Sequence, residues 1–257
     1  MENPVSDLGK RIGRVMRREV SGGLGFGAAR SEKPRAMLLG VLAADGASAK
    51  AAVAAGADLA IIDGLSVAKA AAVLKPLAKA CTGVRLAAFD EAGAKSLKAA
   101  GCDFVISPID GTSSAAVDPE NMGQVIIATA DMSDTTLRAL PPLGLDGIYV
   151  DRDPGAMTLA QQLELVRIAS FSSTPLMVRV EPDASVSELR VLRDSGAAVV
   201  VAPASTTPDQ VKALVEALKA VPASKKGGKS GDMALVPRLS QSAAADEEGD
   251  DGDGDEE

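Results

Sequence analysis

Carboxylates are the chain's main candidates for chemistry, because one follows nearly every predicted strand. If the strands are parallel, their carboxyl ends meet at a single edge of the sheet. A ring of carboxylates there would repel itself unless it shared protons, bound a divalent cation or met a cationic group. The residues at or just after the predicted strand ends are Asp45, Asp63, Asp90, Ser107, Asp110, Asp131, Asp151, Asp153 and Glu181.

Three of these residues are the strongest candidates for function. We predict Asp63, Asp151 and Glu181 as catalytic acids or bases. Asp63 and Glu181 are also the candidate ligands of Mg²⁺, an ion that prefers oxygen donors. The alternative is structural, because an aspartate after a strand often caps the following helix. Asp90 and Asp131 fit that alternative, since each precedes a helical pattern.

Two arginines, Arg85 and Arg179, lie within predicted strands. A guanidinium in such a place requires a carboxylate partner or an anionic ligand. Arg179 lies on the same strand face as Glu181, two residues along the chain. The two arginines therefore either bind the anionic group of a substrate or form ion pairs inside the protein, and the sequence leaves both interpretations open.

Missing residue types narrow the chemistry further. The chain has no histidine, the commonest general acid or base and metal ligand. No lysine follows a predicted strand, which counts against a Schiff-base aldolase. The two cysteines, Cys81 and Cys102, have no CxxC spacing and are predicted to be reduced and packed. Carboxylates and arginines remain as the reactive groups.

A repeated phrase indicates the elements that position these groups. AAGADLAIID at 54–63 couples a glycine helix stop to a buried strand, and variants recur at 99–107, 144–151 and 195–204. Unbroken apolar strands alternating with helices indicate a parallel sheet covered on both faces. Eight such units in residues 36–221 predict a compact (β/α)₈ TIM barrel, and an open doubly wound sheet is the alternative. The predicted strands are 37–43, 59–63, 84–89, 103–107, 125–130, 147–150, 176–180 and 198–202.

The two ends of the chain differ from this body. Residues 1–35 contain a basic amphipathic helix at 6–19 and a glycine-rich connector at 22–27. The helix is predicted to close one end of the core, or alternatively to bind an anionic surface or partner. Residues 222–257 are rich in Ser, Gly and charge, and the last twelve include nine acids and no base. They are predicted to form a disordered acidic tail.

The overall composition limits the kinds of binding partner that we expect. A net charge of −8 and a content of one Tyr, four Phe and no Trp argue against nucleic-acid binding. No apolar run approaches the length of a membrane span, and no signal-peptide pattern is present, so we expect a cytoplasmic protein that does not enter membranes. The expected partners are a small-molecule substrate and further copies of the chain in a homo-oligomer.

Residues 175–206, PLMVRVEPDASVSELRVLRDSGAAVVVAPAST, resemble the last two units of the phosphate-binding TIM barrels. That superfamily includes ribulose-phosphate-binding enzymes and flavin-dependent barrels. In it, glycine-rich turns after strands seven and eight bind phosphate through backbone amides. The resemblance implies that Ser205 and Thr206 contact the substrate. The chain departs from the pattern at Glu181 and Asp183 and at Pro203, which has no N–H, so the phosphate motif is degraded and FMN is not expected.

Two functions follow from these observations. The first is a lyase, isomerase or aldolase-like enzyme that acts on a small anionic substrate, with or without Mg²⁺ on the carboxylates. The second is a TIM barrel without catalytic activity, which serves as a scaffold or assembly protein and interacts through its charged termini.

Overall fold

The computed structural model describes residues 6–20, 35–77, 80–118, 122–129 and 131–222, without the side chains of 18–20. The glycine-rich connector at 22–27 lies outside the described residues. So does the predicted acidic tail, apart from Pro222.

Eight parallel strands form a closed barrel in chain order, each paired with its neighbours and the last with the first. This confirms the predicted (β/α)₈ TIM barrel and excludes the open sheet. The strands are β1 (Leu38–Ala43), β2 (Leu59–Ile62), β3 (Cys81–Arg85), β4 (Phe104–Pro108), β5 (Gly123–Ala128), β6 (Gly147–Val150), β7 (Leu176–Arg179) and β8 (Ala197–Ala202).

Helices connect the strands around the outside of the barrel. They are α1 (Asp7–Val20), α2 (Gly46–Ala54), α3 (Val67–Leu74), α4 (Glu91–Ala99), α5 (Asp134–Arg138), α6 (Leu159–Ser172), α7 (Val186–Asp194) and α8 (Pro208–Ala220). α1 precedes the barrel, and the described part of the connector between β4 and β5 contains a short 3₁₀ turn at Ser114–Ala116. None of the described helices is long and apolar enough to cross a membrane.

The third strand differs from its prediction. It begins at Cys81, three residues before the predicted start, and ends at Arg85 instead of Phe89. A glycine inside a strand has weak strand propensity, but Gly83 is required by packing, because a Cβ there would lie 2.3 Å from Cε2 of Phe104. The earlier register makes Arg85 the last residue of the strand, and its side chain reaches the rim of the barrel.

The repeated phrase sets the amino-terminal end of the barrel. Its glycine ends a helix with positive φ, as at Gly56 (107°) and Gly101 (85°). The aspartate two residues later comes directly before the strand and accepts hydrogen bonds from a neighbouring element. Oδ2 of Asp58 accepts from the Leu39 amide at 2.8 Å. The repeated phrase therefore determines the structure of the amino-terminal end of the barrel. The carboxyl ends of the strands, at the opposite end, remain the place for binding and catalysis.

Helix α1 closes the amino-terminal end of the barrel. Its side chains Leu8, Ile12 and Val15 are buried in the cluster formed by the inward-facing residues of the strands. The first turn of the helix is held by Asp103, whose two carboxylate oxygens accept from the amides of Asp7 and Leu8 at 2.6 and 2.8 Å. The predicted role of this helix as a closure of the core is confirmed.

Candidate functional site

Four charged side chains form one connected network at the carboxyl ends of the strands. Asp63 follows β2, Arg85 ends β3, Asp151 follows β6 and Arg179 ends β7. Nε and Nη2 of Arg85 donate to the two carboxylate oxygens of Asp63 at 2.8 and 3.0 Å. Asp151 accepts from Nη1 of Arg85 at 3.0 Å and from Nη1 of Arg179 at 3.1 Å. We call these four residues the mouth network.

The barrel topology explains why these residues meet. β2 and β3 are neighbours, as are β6 and β7, so each aspartate lies beside the arginine of the next strand. The hydrogen bond between Arg85 and Asp151 joins these pairs from β3 to β6, across the opening of the barrel. Two positive and two negative charges balance within the network, and its side chains are 25 to 36% exposed.

Electrostatic interactions hold the side chains of the mouth network together. Burial alone would lower the pKa of the Arg85 guanidinium, but the hydrogen bonds and charge of Asp63 raise it above its ordinary value. Arg85 therefore stays charged and fixed in orientation. Its Cζ lies 5.7 Å from the ring centroid of Tyr149, within the range of a cation–π contact.

Tyr149 lies on the inward face of β6, two residues before Asp151, and is fully buried. Burial, and then the charge of Asp151, raise the pKa of its hydroxyl to about 12, although Arg85 and Arg179 act to lower it. The hydroxyl is protonated at neutral pH and is a hydrogen-bond donor. Neither this hydroxyl nor Nε of Arg179 has a hydrogen-bond partner among the described residues, although both atoms are buried.

A cavity of about 500 Å³ opens beside the network, on the side of β2 to β5. Two charged side chains of the network form part of its wall, and most of the remaining wall is apolar. It is therefore suited to a small molecule with an anionic group and an apolar body. The lining residues are Asp63, Gly64, Leu65, Arg85, Leu86, Ala87, Pro108 and Ile127.

The structure thus brings together four of the predicted site residues and leaves Glu181 apart. Arg179 pairs with Asp151 and not with Glu181, its predicted neighbour on the strand face. Among the described residues, Glu181 forms no ion pair, and no three His, Cys, Asp or Glu side chains lie close enough to hold a metal ion. Mg²⁺ on Asp63 and Glu181 stays a prediction, and it would require Asp63 to exchange Arg85 for the ion.

Ser205 and Thr206 lie in the turn after β8, outside the mouth network. The amide and the hydroxyl of Thr206 both donate to the carbonyl of Pro203, at 3.1 and 2.7 Å. The amino terminus of α8 is capped by Thr207, whose Oγ1 accepts from the Gln210 amide. Two donors that the resemblance assigned to substrate are therefore engaged within the turn, and substrate binding by Ser205 and Thr206 stays a prediction.

The capping alternative holds for some of the strand-end aspartates. Asp45 and Asp90 accept from backbone amides in the first turns of α2 and α4. Asp131 does not cap α5, because that helix begins at Asp134 and Ser133 caps it instead. Capping thus separates Asp45 and Asp90 from Asp63 and Asp151, whose carboxylates face arginines.

The sequence analysis missed two residues of the site. Tyr149 could have been found as the chain's single tyrosine, placed one inward position below Asp151. Arg152 carried no signal: it faces outward, and its Nε and Nη2 donate to the carbonyls of Arg179 and Gly155 at 3.1 and 3.0 Å. Its Nη2 also donates to Glu188 of α7. Arg152 therefore ties the loop after Asp151 to β7 and α7.

No protein-family model and no curated protein sequence matches the chain. The chain does match solved structures. A tryptophan synthase chain from Mycobacterium tuberculosis superimposes with a TM-score of 0.61 at 17% identity, covering 86% of this chain and 99% of that one. A mutant tryptophan synthase alpha-subunit from Pyrococcus furiosus gives 0.58 at 14% identity, covering 72% and 98%. DHPS from Yersinia pestis gives 0.52 at 16% identity, covering 73% and 92%. At these identities the likeness shows the fold alone: the chain is a TIM barrel whose structural neighbours are alpha-subunit-like barrels of tryptophan synthase.

Proposed function

We propose that the protein is an enzyme of lyase or isomerase type that acts on a small anionic substrate at the carboxyl ends of the barrel strands. Arg85 and Arg179 bind the anionic group, and Asp63 and Asp151 are the acid and base. The structural neighbours from tryptophan synthase support the proposal at the level of fold, because enzymes of this fold act at this end of the barrel.

One observation carries the proposal. Arg85 lines the 500 Å³ cavity, and its guanidinium contacts both Asp63 and Asp151. A substrate in that cavity would touch a fixed cation with a carboxylate on either side of it. This arrangement can donate hydrogen bonds to an anionic group while a carboxylate at the same place removes or returns a proton, as general acid–base catalysis requires.

A metal-assisted form of the reaction is a variant of the same proposal. Mg²⁺ would bind Asp63 and Glu181, polarise an oxygen of the substrate and leave Arg85 to the substrate alone. Titration with MgCl₂ followed by thermal unfolding tests it. The metal-assisted form is supported if Mg²⁺ raises the Tm, if Ca²⁺ and K⁺ do not reproduce the rise, and if Asp63→Ala and Glu181→Ala abolish it. An unchanged Tm rejects the metal and leaves the metal-free proposal in place.

Anion binding tests the proposal itself. We expect acetate, phosphate or propionate to raise the Tm of the wild type, and Arg85→Gln and Arg179→Gln to remove that rise. Arg190→Gln is the matched control, because Arg190 is 63% exposed on α7 and lies 3.9 Å from its acidic neighbour. If none of these anions binds, or if the control variant loses binding equally, the proposed site is wrong.

A scaffold or assembly role is the second candidate, and one observation favours it. Leu159, Leu163 and Val166 lie one turn apart on α6 and are 70, 62 and 40% exposed, which makes an apolar stripe on the outer face of that helix. The assembly could be a homo-oligomer or a complex formed through the charged termini. Sedimentation of the full chain, of a Leu163→Glu variant and of a chain ending at Pro222 tests this role. A mass equal to that of one chain for each of the three proteins would exclude self-assembly.

A further inference from the structure

Two buried hydrogen-bond donors at the mouth have no partner among the described residues. They are the hydroxyl of Tyr149, in a side chain that is fully buried, and Nε of Arg179. Buried polar groups in folded proteins are almost always paired, because an unpaired donor loses its hydrogen bonds to water without compensation. Two unpaired donors near one carboxylate therefore indicate a place where a ligand accepts.

The two donors belong to adjacent strands and lie on the same inward face of the barrel. Tyr149 pairs in register with Met177 on β7, and Arg179 lies two residues further along that strand on the same inward face. The Tyr149 ring lies against Arg85, and its hydroxyl is close enough to Asp151, Arg85 and Arg179 to respond to their charges. Both donors thus point to the region around Asp151.

The partner that Arg179 lacks can be deduced from Arg85. Arg85 uses its Nε and Nη2 edge to hold the carboxylate of Asp63 with two parallel hydrogen bonds. The hydrogen bond described for Arg179 comes from Nη1. Its Nε edge therefore offers the same planar geometry to a second carboxylate. The Arg179 side chain is 31% exposed, but its Nε is buried, so a small ligand reaches that edge only when neighbouring side chains at the mouth move aside.

We propose that the substrate is a small carboxylic acid with a second oxygen on the adjacent carbon, a 2-hydroxy or 2-oxo acid. Its carboxylate binds the Nε edge of Arg179, and its second oxygen accepts from the Tyr149 hydroxyl. This inference rests on the proposed function and names its substrate class; it places the carboxylate of the substrate on the β6–β7 side of the mouth network, beside the cavity that Arg85 lines. Tyr149 is then the residue that distinguishes such acids from simple carboxylates.

Three acids of nearly equal size provide the test: propionate, lactate and pyruvate, with inorganic phosphate as a fourth probe. Isothermal titration calorimetry on the full chain measures each dissociation constant for the wild type, Tyr149→Phe and Arg179→Gln. We expect lactate or pyruvate to bind the wild type about five- to tenfold more tightly than propionate, the contribution of one buried hydrogen bond. Tyr149→Phe should remove this preference and leave the affinity for propionate unchanged, whereas Arg179→Gln should weaken all three acids.

The outcomes separate this inference from the proposed function. If carboxylates bind without a preference for the second oxygen, or if the preference persists in Tyr149→Phe, the inference is wrong and the anion site stands. Binding of phosphate alone has the same consequence. If no probe binds, both are overturned. Tyr149→Phe removes only an unpaired hydroxyl, so its thermal unfolding should match that of the wild type and show that the fold is intact.

Discussion

Replacing Arg85 with methionine removes the centre of the mouth network. The side chain makes three charge-assisted hydrogen bonds, two to Asp63 and one to Asp151. Without it, two partly buried carboxylates face each other across the barrel opening, and Asp63 has lost the two hydrogen bonds described for its carboxylate. Charge-assisted bonds contribute about 1.5–3 kcal/mol each, and fully buried pairs lose about 3–5 kcal/mol when one partner is removed.

The exposure of the network reduces that estimate. Arg85 and Asp63 are about one quarter exposed, so solvent screens part of the interaction. We expect Arg85→Met to lower the free energy of unfolding by about 2–3 kcal/mol at neutral pH and low salt. In a domain of this size that corresponds to a fall in Tm of roughly 4–12 °C. Because part of the loss is repulsion between Asp63 and Asp151, it should shrink in about 1 M KCl.

Urea unfolding of four proteins measures this effect: the wild type, Arg85→Met, Asp151→Asn and the double variant. The double-mutant cycle should give a coupling of at least about 0.5 kcal/mol, because Asp151→Asn removes the repulsion that Arg85→Met creates. Arg190→Met is the control and should change stability by less than about 0.5 kcal/mol, since its ion pair is exposed and long. A loss in Arg85→Met no greater than in the control, with no coupling, would refute the mouth network.

Four further substitutions test other parts of the structure. Tyr149→Phe should leave the free energy of unfolding unchanged or raise it by up to about 1 kcal/mol, because the hydroxyl it removes is buried without a partner, and urea unfolding of the unliganded protein measures it. Burial raises the pKa of Asp146 despite a hydrogen bond from Ser6. At pH values between the ordinary pKa of an aspartate and this raised pKa, the folded protein therefore binds more protons than the unfolded chain. Stability contributed at this site therefore falls as pH rises through that interval, and Asp146→Asn should flatten the pH profile of Tm and be neutral or stabilising at pH 7. Arg152→Met should lower the free energy of unfolding by about 2–4 kcal/mol, because it leaves Glu188 without its buried partner, and Glu188→Gln, which keeps a hydrogen-bond acceptor, should lose less.

Sequence periodicity was sufficient to predict the fold because the same local sequence pattern recurs along the barrel. A glycine stops a helix, an aspartate precedes the strand, and an apolar run fills the wall, as in residues 54–63. The third strand was displaced because Gly83 has weak strand propensity, and the packing of Gly83 against Phe104 is a tertiary contact. Local pattern cannot indicate such a contact.

The site was predictable in its residues and not in their pairing. Placing aspartates at the strand ends correctly gathered Asp63 and Asp151 at one rim. The partners of Arg85 are 22 and 66 residues away in sequence, and only the closed barrel brings them together. From the sequence it was open whether Arg85 binds a substrate or forms an ion pair, and Arg85 was placed near the start of its predicted strand. Moving the strand by three residues turns an unshielded ring of acids into a neutral network.

A crystal structure of the protein grown with lactate tests the central claim most directly, because it shows both the network and its ligand. We predict that the Asp63–Arg85 pair is retained, that the lactate carboxylate lies on the Nε edge of Arg179, and that the lactate hydroxyl is within hydrogen-bond distance of Tyr149. Lactate bound in the turn at Ser205 and Thr206, or a mouth in which Arg85 contacts neither Asp63 nor Asp151, would contradict it.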